Sequence, residues 1–294
     1  MVEQFELRGK SLGRLEIEAS NRELPRARQV ALAGSGSVAR EWQLSKFNLT
    51  VPEASFKGQG RWLAAPDATT GQRRTEIGFV LDVSNGGALL NRLGTPGALR
   101  GTAGKMEGQI QWAGSPLSLN YPSLSGQFHM DMGRGQFLKA DPGVAKLLGV
   151  LSLQALPRRL LLDFSDVFRE GFLFDSAQGD VSIERGIATT RNLQIKGVTA
   201  LVRMEGQVDI AQETQHLQVL VLPALDAGTA ALVAGIAVNP VVGLTSFLAQ
   251  LFLQKPLAKA SSQVFMIDGS WTDPRVTKVE TATLPTSSPA GKTP

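Results

Sequence analysis

The sequence predicts a mainly β fold, a long antiparallel sheet curved toward its apolar side and carrying a few helices. Three observations predict it. Apolar and polar residues alternate along most of the chain, the period of two that marks strands with one buried and one wet face. Such strands belong to antiparallel sheets, because parallel strands read as continuous apolar runs. A glycine recurs in one short pattern, apolar–x–Gly–x–apolar, at Gly58, Gly108, Gly126, Gly206 and Gly269. Helical periodicity is confined to three stretches.

Taken in order, Phe5 and Leu7, then Leu15, Ile17 and Ala19, alternate with charged residues from the start. Met1 to Lys10 carries no basic segment followed by an apolar core and a cleavage site, so it does not read as an export signal. A chain that opens within strand-like sequence is expected to continue a longer polypeptide. Alternation returns at Phe47, Leu49 and Val51; at Ile77, Phe79, Leu81 and Val83; and at Val181 and Ile183. It resumes at Leu193 and Ile195, through Val202, Met204, Val208 and Ile210, and at Leu217, Val219 and Val221. Each recurrent glycine shares the face of its apolar neighbours. A strand glycine marks a bend, a bulge or a close approach. The five are therefore read as setting curvature, the alternative being relief of twist over an ordinary core.

The first helical stretch, Asn85 to Leu93, is short and stops at Gly94. Asp141-Pro142 reads as an N-cap with proline in the first helical position, and Val144, Leu147, Leu148, Leu151 and Ala155 then share one face up to Pro157. The third stretch, Ala227 to Gln254, has no charged residue. Asn239-Pro240 divides it into helices of about 12 and 15 residues, roughly 18 and 22 Å long, each too short for a hydrocarbon core of about 30 Å. Leu232, Val233 and Ile236 lie in the first half. In the second, Val241, Leu244, Phe247, Leu248, Leu251 and Phe252 surround a polar stripe of Ser246, Gln250 and Gln254. Three placements stay open: packing on the sheet, contact with a membrane interface, or a kinked span. Thr281 to Pro294, rich in Pro, Thr and Ser, reads as a disordered tail. The organisation is thus a sheet segment over 1–86, a second region over 87–280 with helices near 142–156 and 227–254, and a tail over 281–294.

Composition narrows the chemistry. With 43% hydrophobic residues and a net charge of +4 the chain is not intrinsically disordered. No cysteine and two histidines exclude a cysteine metal site and a multi-histidine centre. Basic residues interleave with acidic ones, as in Arg14-Leu15-Glu16-Ile17-Glu18, so no nucleic-acid track is expected. Gly104-Lys105-Met106 lacks the rest of a phosphate-binding loop, and Gly133-Arg134-Gly135 is too short for a dinucleotide fingerprint. Asp163, Asp166, Asp175 and Asp180 form the densest acidic group, read as solvated turn and edge acids, the alternative being the paired carboxylates of an enzyme acting on envelope glycans. His129 is expected to face water opposite Phe128 and Met130, and His216 to sit at a hairpin tip. No catalytic residue, metal or cofactor is expected.

From Gly87 onward the sequence resembles a known family. The blocks that carry the likeness include Gly87-Ala88-Leu89-Leu90-Asn91-Arg92-Leu93-Gly94, Gly133-Arg134-Gly135-Gln136-Phe137, Leu148-Gly149-Val150-Leu151-Ser152-Leu153-Gln154-Ala155-Leu156-Pro157, Asp163-Phe164-Ser165-Asp166-Val167-Phe168, Asn239-Pro240-Val241-Val242-Gly243-Leu244 and Gly269-Ser270-Trp271-Thr272-Asp273-Pro274. They are similar to the C-terminal part of AsmA-like envelope proteins of the YhdP type. The resemblance implies an open groove of the β-taco kind, anchored through the rest of a longer chain in the inner membrane of a Gram-negative bacterium and crossing the periplasm. It implies phospholipids as cargo, the outer membrane or one of its proteins as a partner, and a part in the outer-membrane permeability barrier. This segment would be the distal, outer-membrane-facing end. A 16-carbon acyl chain stands roughly 12 kcal/mol higher in water than in oil, so such a path needs a continuous apolar lining. Ile183, Leu193, Ile195, Val202, Met204, Val208 and Ile210 are expected to supply it, and the apolar helices to lie at its exit. The alternative is a periplasmic scaffold whose apolar face is closed as a core.

Overall fold

A computed structural model describes residues 1–7, 9–23, 40–64, 73–116, 118–138, 172–198, 200–223, 244, 247 and 262–279. In chain order the strands are β1 (Glu6–Leu7), β2 (Lys10–Ser11), β3 (Arg14–Glu23), β4 (Arg40–Val51), β5 (Ala54–Ala64), β6 (Arg73–Val83), β7 (Leu99–Gly101) and β8 (Gly104–Ala113). They continue with β9 (Ser125–Met132), β10 (Gly135–Phe137), β11 (Phe172–Glu184), β12 (Ile187–Gly197), β13 (Ala200–Asp209), β14 (Thr214–Pro223), β15 (Gln263–Ser270) and β16 (Pro274–Val279). Helix α1 (Gly86–Arg92) follows β6. The main sheet runs β3-β4-β5-β6-β8-β9-β11-β12-β13-β14-β15-β16, every neighbour antiparallel and the two ends unjoined. The expected mainly β, open antiparallel sheet is what forms.

Pairing turns the sequence alternation into rows across the sheet. One row on the apolar face reads Ile17, Phe47, Gly58, Phe79, Gly108, Phe128 and Val181. The next reads Leu44, Gly60, Ile77, Ile110, Gly126, Ile183, Ala188 and Val208. In the first row rings alternate with glycines. Side chains crowd together on the inside of a curved sheet, and a strand without Cβ leaves space for the ring beside it. A Cβ on Gly108 would stand 2.5 Å from the Cβ of Phe128. Bulges at Leu44/Phe47, Gln178/Val181 and Thr190/Leu193 add bend and twist.

β7 leads into β8 through Thr102-Ala103, β9 leads into β10 through Gly133-Arg134, and β7 and β10 pair with each other. Thr102, with φ of 62°, bonds the Gly133 carbonyl at 2.9 Å. Helix α1 sits on β7 because Gly87 allows it: a Cβ there would lie 2.4 Å from the Leu99 carbonyl oxygen. Asn85 caps the helix by accepting from the Ala88 N–H, and Arg92 in its last turn holds Glu53 through two bonds of 2.9 and 2.7 Å. The guanidinium holds the Glu53 carboxyl below the usual carboxylate range.

The main core lies on the apolar face of β11 to β16, around Phe174, Val202, Met204, Leu217, Val219 and Phe265. A smaller cluster joins Trp112, Leu124 and Ile183. On the opposite face of β13 to β15, Leu201, Arg203, Leu220, Leu222 and Val264 are also buried. Leu244 and Phe247, both helical, cover that face: the Glu205 carboxylate accepts from the Leu244 N–H at 2.6 Å, and the Arg203 guanidinium lies 4.7 Å from the Phe247 ring centre. The expected helix near 142–156, the rest of 227–254 and the tail over 281–294 lie outside the described residues. One expectation is corrected. His216 is within β14, paired with Asp268 across β15, because the β13–β14 turn already ends at Glu213.

Candidate functional site: an apolar trough with a charged back

From β4 to β9 the apolar face is lined by Phe47, Phe56, Phe79, Leu81, Met106, Ile110, Phe128 and Met130, all of them only half-buried. The Phe56 ring meets Phe47 edge-on and stacks on Phe79, each at 5.8 Å between centres. Aliphatic, thioether and ring side chains without a hydrogen-bonding nitrogen or oxygen make this surface oily without offering any directional bond.

The other face of the same strands is charged and paired to itself. Lys105 bridges Glu107 at 2.6 Å. Gln178 donates to Asp131 at 2.9 Å, and His129 meets Asp180 at 2.7 Å. Asn192 also donates to Asp180, and its amide together with the His129 ring holds that carboxyl below the usual range. His129 thus stands on the wet face, opposite Phe128 and Met130. Asp175 is on the same strand as Asp180 but bonds Arg134 instead. Asp163 and Asp166 lie outside the described residues.

The residues expected to line the groove are placed unevenly. Ile195, Val202 and Met204 are 4, 2 and 2% exposed within the main core, and Ile183 is 8% exposed in the smaller cluster. Burial, not access, is what the structure gives these four. Leu193 and Val208 pack at half-exposure against the main core, and Ile210 against the smaller one. All five recurrent glycines lie on the apolar face: Gly58, Gly108 and Gly206 share one row, Gly126 and Gly269 the next. At Gly206, φ is +140° and a Cβ would sit 2.2 Å from the His216 carbonyl oxygen, so no other residue fits. Of the proposed membrane or exit residues, Leu244 and Phe247 are turned onto the sheet at 0 and 7% exposure. Leu232, Val233, Ile236, Val241, Leu248, Leu251 and Phe252 lie outside the described residues.

Phe47, Phe56, Phe79 and Phe128 were legible as strand residues but not as an accessible lining. Their signal is the alternation of ring and glycine between neighbouring strands, which exists only once the register is known. Among the described residues no three acids or histidines converge as metal ligands, and no helix is long and apolar enough to cross a membrane.

An open antiparallel sheet with one oily face and one self-paired charged face defines a β-groove protein. The family model described as YhdP protein matches residues 1–276, and the chain belongs to that family. It is 30% identical over 221 residues to the intermembrane phospholipid transporter YhdP of Escherichia coli K12. That match covers 75% of this chain but 17% of the relative, so the chain spans a small part of the relative's length. No solved structure matches.

Proposed function

We propose that this chain is one wall section of a conduit that shields phospholipid acyl chains from water between the inner and outer membranes. The observation that carries the reading is the apolar face of β4 to β9, half-exposed at Phe47, Phe56, Phe79, Phe128 and Met130, while its back carries mostly polar residues and ion pairs. A lipid tail leaving water for such a surface gains about 0.8 kcal/mol per methylene, and equivalent neighbouring strands let it shift along the sheet without a barrier of that size. Transport of this kind needs weak, repeated contacts and no catalytic group, and the chain is read as a non-enzyme. Kinship to a phospholipid transporter supports phospholipids as cargo and the periplasm as location. The inner-membrane anchor, the distal position facing the outer membrane and a partner there belong to the same proposal.

A photo-crosslinking residue at Phe79 or Phe128 should capture phospholipid in cells, and one at Lys57 or His129 on the wet face should not. Equal capture from both faces would remove the conduit. The buried apolar face of β13 to β15 favours a second reading for that end alone, a closed scaffold that holds the open wall in place.

A further inference from the structure

The apolar row that runs from Leu44 to Val208 continues onto Gln215 in β14 and Gly269 in β15. Every residue of the row before Gln215 is aliphatic or glycine, so Gln215 is the first side chain in it able to hydrogen-bond. Gln215 is 5% exposed, and its amide oxygen and amide nitrogen are both buried with no hydrogen-bond partner among the described residues. Thr75 and Thr102, buried to a similar degree, each donate to a backbone carbonyl at 2.9 Å. The Trp271 indole nitrogen is likewise buried and unpaired. Trp271 stands diagonal to Gln215 on the ladder: Gly269 is opposite Gln215, and two residues on, the Trp271 backbone N–H donates to the Glu213 carbonyl at 2.8 Å.

A buried amide unpaired at both ends destabilises a fold, because each group has given up water without a replacement. Leucine in its place would continue the row without that cost. What glutamine adds is hydrogen-bonding capacity, and it adds it at a boundary. Leu217, two residues along β14, is 1% exposed in the main core. Val208, across the ladder, is half-buried, and Gly269 on the other side is exposed and has no side chain. Gln215 therefore stands where the closed core gives way to accessible apolar surface.

The chemistry of these two side chains selects the group that suits them. A primary amide offers an NH2 and a carbonyl oxygen, and an indole offers an N–H only, so donors outnumber acceptors. The adjoining turns, 210–213 and 271–273, carry Glu213 and Asp273 and no lysine or arginine. A phosphate would be repelled there, whereas an uncharged acceptor is not. We propose that the Gln215 amide is a binding site for the ester linkage of a diacyl lipid, its NH2 donating to an acyl ester carbonyl while the tails lie along the apolar row toward Ile183 and Ile110. The inference rests on the conduit reading and adds to it a fixed polar stop at the C-terminal end of the row.

The test measures, by calorimetric titration, the binding of two lipids to the full 294-residue chain. One is dioctanoyl phosphatidylglycerol; the other is its dioctyl ether analogue, which has the same headgroup and lacks the ester carbonyls. The parent chain should hold the ester about fivefold more tightly than the ether, the effect of one neutral hydrogen bond. Gln215→Leu should bind both lipids as the parent binds the ether, and should melt at a higher temperature because the unpaired amide is gone. Equal binding of ester and ether by the parent, or a preference that survives Gln215→Leu, would overturn the ester site and leave the conduit. Failure of both lipids to bind would remove the conduit and the ester site together.

Discussion

The two halves of the sheet use the same strand alternation to opposite ends. In β13 to β15 both faces are buried: Met204, Leu217, Val219 and Phe265 are 1–2% exposed on one side, and Leu201, Leu220 and Val264 0–1% on the other. In β4 to β9 the apolar face is half-exposed and the back is a lattice of charges. A period of two specifies which residues share a face, and nothing about whether that face is covered. Cover depends on what packs there, and in the C-terminal half the polar face itself turns apolar where Leu244 and Phe247 dock.

Matched truncations test this contrast most strongly. Phe265→Ala removes a ring from a packed site and should cost about 3–5 kcal/mol through lost transfer energy and a cavity. Phe79→Ala removes a ring that already touches solvent and should cost no more than about 1.5 kcal/mol. Urea midpoints with unchanged m-values measure both. Equal losses would mean that the trough is as closed as the core.

The glycines sharpen the same point at smaller scale. Gly206→Ala imposes a φ of +140° on an L residue and drives Cβ into the His216 carbonyl, so a loss of about 2 kcal/mol is expected. Gly58→Ala meets only the Cε1 edge of Phe56 at 3.0 Å, with its other neighbours at 3.7 Å, and Phe56 is free to swing toward the trough. Its cost should stay near about 0.5 kcal/mol. Thermal denaturation of the two variants side by side decides whether the trough side yields and the core side does not.

Much of the fold was readable because alternation, the short helical stretch that stops at Gly94 and the strand glycines are local signals. The site was less so. Val202 and Met204 have the same local pattern as Phe79 and Leu81, and only the packing around them, among Leu217, Val219 and Phe265, distinguishes a core from a trough. The row of Trp42, Trp62 and Trp112 was invisible for a related reason. Trp42, Trp62, Trp112 and Trp271 are spread over the sequence, and antiparallel pairing brings three of them into one row. His216 was misplaced because a polar run marks both a turn and the wet face of the strand that leaves it.

The cladding of the C-terminal half makes a further prediction. Glu205 is the acceptor for the Leu244 N–H, and it offsets the burial that lowers the pKa of Arg203 beside it. Glu205→Ala should cost about 1.5 kcal/mol, the range of a bond to a charged group. It should also speed amide exchange at residues 244–247 while leaving exchange in β5 and β6 unchanged. Acceleration throughout the sheet would show that the helix holds up the open wall as well as its own end.

The smallest expected effect belongs to the charged back of the trough. The Asp180 carboxyl is held below its ordinary value by Asn192 and His129, and Glu107 by Lys105. A carboxylate whose value is depressed on folding contributes stability that is complete above its unfolded value near pH 4 and lost as pH falls through the lower folded value. Asp180→Asn should therefore lower the melting temperature at pH 7 by about 2 °C or less, because both partners are largely exposed and solvent screens them. The gap between variant and parent should close below pH 4. A gap that persisted in acid would mean that Asp180 contributes through its shape and neutral hydrogen bonds to Asn192 and not through its charge. The wet face would then be held at this position by neutral hydrogen bonds and not by its charges.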